Sequence, residues 1–379
     1  MERDIFLAGQ GLTRFGEWWG KSLRDLMDEA TEAALQSSGM SALDIDLVIV
    51  ANMLAETTND QAHLGAVASS LLPHHPPALR VESACGSGAL ALHTACAFLE
   101  SKRAETILVI GVEKMTDASN DAISQALMGA ADSELDAPSG LTFPGIFGLI
   151  TNRYMHEYGL TRDELSLVSA VHHRHGKENP FAQFRQEISP DAVSESPLVA
   201  DPLRLLDCSP VSDGAAACIL STIRRSPFRI AASAVAADSV SITERASLTS
   251  FPATQEAMRH ALEEANIERS DVHAIETHDC FSIAALINME DLGFAEPGEG
   301  IKIYKSLWGR NVPAPQYPFF INKSGGLKAC GHPVAATGMK QLIDLRKQLA
   351  SSRETFGLAH NFGGACGSCG IHILENLEA

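Results

Sequence analysis

The chain has 379 residues and a formal net charge of −18, with no basic tract large enough to compensate it, which argues against a nucleic-acid partner. Hydrophobic residues make up 45% and charged residues 20%, enough apolar material for two packed domains or one large core with an insertion. Apolar runs such as Ile107 to Val112 are strand-sized, so no membrane span is expected. The opening Met1-Glu2-Arg3-Asp4 is not a secretory signal and the ending Asn376 to Ala379 is no address signal, so the expected location is cytoplasmic. Eight cysteines in such a chain are expected as reduced thiols.

Ile5 to Ala8 reads as a strand. Leu23 to Ser37 reads as an amphipathic helix, with Leu26, Met27, Ala30, Ala33 and Ala34 near the 3.6 spacing and Gly39 as a left-handed C-cap. Asp46 to Val50 is the next strand. Ser83-Ala84-Cys85-Gly86-Ser87-Gly88 then leads into a helix from Gly88 to Glu100 and a strand from Thr106 to Val112. A stretch from about Met115 to about Leu205 interrupts the pattern with prolines, helical pieces and the basic run His172 to Lys177. That run reads either as a solvated loop face or as a cap for substrate phosphates.

The opening phrase then returns. Ala34-Leu35, Gly39-Met40, Asp44-Ile45 and Val48 align without gaps on Ala261-Leu262, Asn266-Ile267, Asp271-Val272 and Ile275, and Phe228 to Val235 repeats the opening strand. Ala329-Cys330-Gly331-His332 repeats Ala84 to Ser87, leads into a helix from Pro333 to Leu349, and precedes a strand from Phe356 to His360. The fold class expected is therefore α/β with two similar halves. The first half is residues 1–114 with 206–226, the inserted loop domain is 115–205, and the second half is 227–379.

Three segments carry chemistry. Cys85 sits where a helix should start, so helix amides are expected to lower its pKa and expose a thiolate, while Gly86 and Gly88 let a substrate tail approach. His332, in a Gly-His-Pro turn, is placed to take the thiol proton. His278-Asp279-Cys280-Phe281 follows a strand ending near Thr277, with Cys280 as a second acid/base, His278 as a donor to an enolate oxygen or a holder of water, and Asp279 as a loop anchor. Asn361 to Gly367 ends the last strand in a glycine cluster whose free amides suit an oxyanion hole. Cys366-x-x-Cys369 lacks two further ligands for zinc and reads as small residues in a tight turn, so no metal is expected. Nucleophile, base and oxyanion donors together are what carbon–carbon bond formation on a thioester requires.

These residues resemble the thiolase superfamily, and more narrowly the sterol-carrier-protein-2-type thiolases and the archaeal and bacterial acetoacetyl-CoA thiolases. The resemblance runs through Gly111 to Thr116, Thr142 to Gly145, Met155 to Gly159, Val199 to Pro210, Ser212 to Ala217, His278 to Phe281 and Asn322 to Pro333. It implies a five-layered αβαβα fold with an inserted loop domain. It also implies acyl-CoA:acetyl-CoA C-acyltransferase activity with coenzyme A thioesters as substrates and no further cofactor. Partners implied are a second copy or a tetramer and a small accessory protein. By position, Cys85 is the acylated nucleophile and His332 its base. Cys280 replaces the cysteine that many thiolases carry where this chain has Asn361, and the amides of Cys85 and Gly363 form an oxyanion hole. Pocket width is expected to depend on side chains of the insertion near Phe143, Phe147 and Met155. Decarboxylating condensation of the ketoacyl-synthase kind, or a partner-dependent acyl-CoA-binding scaffold, are the alternatives. A reversible disulfide from Cys366 or Cys369 to Cys85 or Cys280 is a further expectation.

Overall fold

The computed structural model describes residues 3–309 and 320–379. Among the described residues, ten strands form one sheet. They are β1 (Phe6–Leu12), β2 (Leu47–Ala51), β3 (Ala78–Val81), β4 (Thr106–Glu113), β7 (Gly214–Ser221), β8 (Phe228–Ala237), β9 (Val272–Glu276), β10 (Phe320–Ile321), β11 (Phe356–Gly363) and β12 (Ser368–Asn376), while β5 (Leu198–Ala200) and β6 (Leu203–Arg204) pair separately. The order is β10-β9-β11-β12-β8-β1-β7-β4-β2-β3. Read outward from the central β8–β1 contact, it is the same path twice, 1-7-4-2-3 and 8-12-11-9-10. The two pairs at each outer edge are parallel and all the others antiparallel.

The repeated phrase occupies equivalent places. The Leu23–Ser38 helix ends on Gly39 at φ 64, and the Pro252–Ala265 helix ends on Asn266 at φ 54, both left-handed. Each then enters a short 3-10 turn closed by an aspartate, Asp44 or Asp271, accepting from a backbone amide three residues earlier. The helices take the outer positions. Leu26, Met27, Ala30 and Ala34 pack on Val48, Val50, Leu108 and Ile110, which is one face of the first half-sheet.

The alternate residues Ile49, Ile107 and Val109 face inward. There they meet two helices, Ser87–Glu100 through Leu92, Ala95 and Leu99, and Thr337–Ser352 through Met339, Leu342 and Ile343. Ile230, Ala274, Ala359 and Leu374 of the second half-sheet close this layer from the other side. The layers are thus helix, sheet, helix pair, sheet, helix. Gly88 and Gly338 let the central pair cross closely, since a Cβ on Gly88 would lie 2.8 Å from both Ala335 O and the Gly338 nitrogen. The helix predicted from Pro333 starts later, because Val334–Ala336 forms a 3-10 turn before Thr337.

Residues 115–205 contain the Asn120–Leu127, Phe143–Tyr158, Arg162–Gly176 and Pro190–Glu195 helices. Only part of the basic run is solvated: Lys177 is exposed and pairs with Glu187, whereas the first two histidines are buried. His172 and His173 lie in the Arg162–Gly176 helix, 0% and 5% exposed, and His172 Nδ1 is 2.7 Å from an Asp279 carboxylate oxygen. Burial keeps His173 and His175 at about 4 and about 3, well below the pH at which they would carry charge for a phosphate.

Candidate active site

The turn after β3 and the turn before the Thr337–Ser352 helix both open on the layer between the half-sheets. Ala84 takes φ 50, a left-handed conformation that costs a β-carbon residue strain, and turns Cys85 into a cavity of about 540 Å3. His332, Cys280, Lys328 and Gly364 line the same cavity, whose remaining wall is largely apolar, including Ile123, Phe143, Phe147, Phe184 and Phe281. The Cys85 thiol and the imidazoles of His278 and His332 place ligand-type atoms within 4.8 Å of one another. That spacing would also admit a thiophilic cation, through the same atoms that acyl transfer needs. Residues from both halves, separated by more than 190 positions, therefore meet.

The two imidazoles are set in opposite tautomers by their neighbours. His332 Nδ1 is 2.7 Å from Thr337 Oγ1, whose own proton goes to the Pro333 carbonyl at 3.4 Å. Nδ1 is then the protonated nitrogen, and the buried, unpartnered Nε2 of His332 is a base. His278 Nδ1 instead accepts from Asn361 Nδ2 at 2.8 Å, an amide oriented by Ala89 N–H, which donates to its Oδ1 at 3.3 Å. The unpartnered Nε2 of His278 therefore carries hydrogen and is a donor. The rings meet edge to face with centroids 4.9 Å apart. Burial pushes His332 down to about 3 and His278 well below its ordinary value, so both are neutral near pH 7.

Three expectations are corrected by this geometry. Cys85 does not have an acidic thiol: burial pushes it up to about 12, against the pull of the Gly364 amide and its own. Its proton must leave as the bond to substrate forms, which makes the neighbouring base obligatory. Gly86 is not a substrate path, because a Cβ there would stand 3.0 Å from the Gly363 nitrogen, and Gly88 faces the other central helix. Of the predicted oxyanion groups, Gly363 lies beside the Cys85 turn, where a Cβ on it would stand 2.3 Å from Ser83 O, and the neighbouring Gly364 amide reaches the Cys85 thiol. Asn361 touches His278 rather than the cavity and is a positioning residue.

Cys280 is 6% exposed and its thiol is raised well above the ordinary value by burial and by Cys85. Asp279, predicted as an anchor, accepts from the Leu327 amide at 2.8 Å and pairs with His172. Cys366 and Cys369 both lie against Thr254 Oγ1, at 3.4 and 3.8 Å, and the cysteines of the expected disulfides are all free thiols in this structure. Cys330 donates to Ser324 O at 3.2 Å. Phe143 and Phe147 line the cavity as expected, but Met155 does not. Sequence reasoning missed Thr337 and Lys328, and placed Gly364 only within the glycine cluster as a whole. Lys328 had a visible signal, being the one lysine, arginine or carboxylate in the run from Gly325 to Gly338.

Residues 6–223 match the thiolase N-terminal domain and residues 234–376 the thiolase C-terminal domain-like family. The acetyl-CoA acetyltransferase of Methanocaldococcus jannaschii is 40% identical over 99% of both chains, and that of Methanothermobacter thermautotrophicus is 38% identical over 98% of this chain and all of its own. Human sterol carrier protein 2 is 31% identical over 95% of this chain and 70% of its own. Among solved structures, the Ltp2-ChsH2(DUF35) aldolase superposes with a TM-score of 0.82 at 21% identity, covering 99% of this chain and 98% of that one. Human mitochondrial 3-ketoacyl-CoA thiolase in complex with CoA gives 0.77 at 19%, with coverage of 99% and 98%.

Proposed function

Because this chain belongs to the thiolase family, we propose that it is an acyl-CoA:acetyl-CoA C-acyltransferase working through a Cys85 acyl-enzyme. The observation that carries the reading is one cavity holding a thiol beside an unprotonated imidazole nitrogen, with a second thiol on the same wall. His332 Nε2 takes the Cys85 proton as sulfur attacks the thioester carbon, and the amides of Cys85 and Gly364 hold the oxyanion. Cys280 gives its proton to the departing CoA sulfur and, as thiolate, removes an α-proton from the second acyl-CoA. His278 Nε2–H donates to the enolate oxygen. The new carbon–carbon bond releases Cys85, which recovers its proton from His332. The reverse sequence is thiolysis of a 3-ketoacyl-CoA.

Cys280 favours this chemistry over decarboxylating condensation, which generates its carbanion by losing CO2 and needs no second thiol. The reading needs no cofactor beyond the CoA thioesters. A homodimer or homotetramer, a small accessory partner and a cytoplasmic location belong to the same proposal; no helix among the described residues is long and apolar enough to cross a membrane. Incubation with acyl-CoAs of increasing length, followed by intact mass and peptide mapping, tests it. An acyl group on Cys85 that disappears when CoA is added supports the reading, and an acyl group carried elsewhere overturns it.

A further inference from the structure

Lys328 is 1% exposed and lines the cavity together with Cys85, Cys208 and Cys280. Its ammonium donates to the Asp207 carbonyl and, at 3.1 Å, to the carbonyl of Cys280, and stands 5.9 Å from the centroid of the Phe281 ring. The nearby carboxylates are committed elsewhere. Asp207 is held by Arg162 and Ser282, and Asp279 by His172 and the Leu327 amide. Burying an ammonium on two carbonyls is costly even with the Asp279 and Asp207 carboxylates acting on it at longer range, so a cation kept there suits a negative charge that forms beside it. The Cys280 sulfur is the group on this wall that must become negative during the reaction proposed above.

We propose that the Lys328 ammonium is the counter-charge for the Cys280 thiolate, holding the base in its ionised form between loss of a proton to CoA and capture of the substrate α-proton. The inference rests on the thiolase reading, and Lys328 acts in it through Cys280, as a positioning residue. Burial pulls the Lys328 pKa down, with Asp279, Cys208, Asp207 and Cys280 opposing, and the proposed role takes no proton to or from it. Burial drives the Cys280 thiol upward, and Lys328 is the cation opposing that rise. The other titratable groups around the pair are Asp207, Asp279, Cys85, Cys208 and the imidazoles of His172, His173, His278 and His332.

The test is alkylation by iodoacetamide across pH 6 to 10 on the intact protein, with each cysteine followed by peptide mass spectrometry. Cys85, read in the same samples, is the reference for an intact cavity. In Lys328→Met the Cys280 profile should move to higher pH by about one pH unit, which slows alkylation at pH 8 about tenfold. Lys328→Gln keeps a donor for the two carbonyls without the charge, and should move the profile equally. A Cys280 profile unchanged in Lys328→Met, or restored to that of the parent in Lys328→Gln, overturns the proposal in favour of a hydrogen-bonded staple. Failure of the unmodified enzyme to exchange acetyl-CoA α-protons with solvent would sink the thiolase reading instead, and would leave the alkylation comparison standing.

Discussion

Cys85 and Cys330 occupy matching places in the two halves, each within Ala-Cys-Gly ahead of a central helix, yet only one faces substrate space. Cys85 follows the strained Ala84 and opens on the cavity beside His278 and His332. Cys330 closes the short Gly326–Cys330 helix, where its sulfur donates to Ser324 O and receives Asn179 Nδ2 at 3.4 Å. Burial raises both thiols, to about 12 and about 11, so acidity does not tell them apart. What separates them is a base within reach and room for a carbonyl carbon. Duplication supplied two similar turns, and the side chain two positions on, Ser87 in one and His332 in the other, gave them different work.

The largest expected effect is at Cys85. Cys85→Ser should abolish acyl-enzyme and lower turnover by more than about 1,000-fold. Cys330→Ser should acylate like the parent and lose only about 1 kcal/mol of stability. Equal loss of acylation in the two variants, followed by intact mass, would break the contrast. Next is Cys280→Ala. It should still acquire an acyl group on Cys85, but carbon–carbon bond formation should fall by about 100-fold or more, as removal of a proton-transfer group does. Loss of acylation and condensation in equal measure would mean that Cys280 supports the first step as well.

Much of this was legible in the sequence because repeats and reactive segments are local patterns. The Gly39 and Asn266 helix ends and the alternating strands follow from short-range rules, and the repeat brought the Cys85 and His332 turns together. What was hidden depends on surroundings that no short segment encodes. The direction of the Cys85 shift is set by enclosure outweighing helix amides. The roles of His278 and His332 follow from which neighbour meets Nδ1, an amide donor in one case and a hydroxyl acceptor in the other. Likewise the polar run His172 to His175 reads as solvated until the Arg162–Gly176 helix is seen packing it against the loop that carries Asp279.

Asn361→Ala tests the tautomer argument with a smaller effect. It removes the donor to His278 Nδ1 without touching the cavity wall. A hydrogen bond worth about 1 kcal/mol allows a fall in condensation of up to about tenfold, with acylation of Cys85 preserved. The readout that separates positioning from general damage is the pH profile of the condensation step. A His278 freed from Asn361 can protonate on either nitrogen, so the acid limb should move, and an unmoved limb would count against the assignment.

The smallest effect concerns the halves themselves. The described strands of the second half carry buried His360 and His372, both pushed to about 3 by burial, whereas those of the first half carry no histidine. An unfolded chain binds a proton at each imidazole as pH falls through 6.5, but the folded chain withholds it until about 3. Acidification across that window draws protons, and the equilibrium, toward the unfolded state, and stability is restored above 6.5. Buried carboxyls such as Glu113, raised to about 8, act in the opposite sense, so the total slope mixes signs. One imidazole is isolated by comparing the parent with His372→Leu, whose Nε2 has no partner to lose. Between pH 7 and pH 5 the parent should lose about 1–2 kcal/mol more than the variant by denaturant titration, and parallel curves would show that His372 is protonated in the folded sheet.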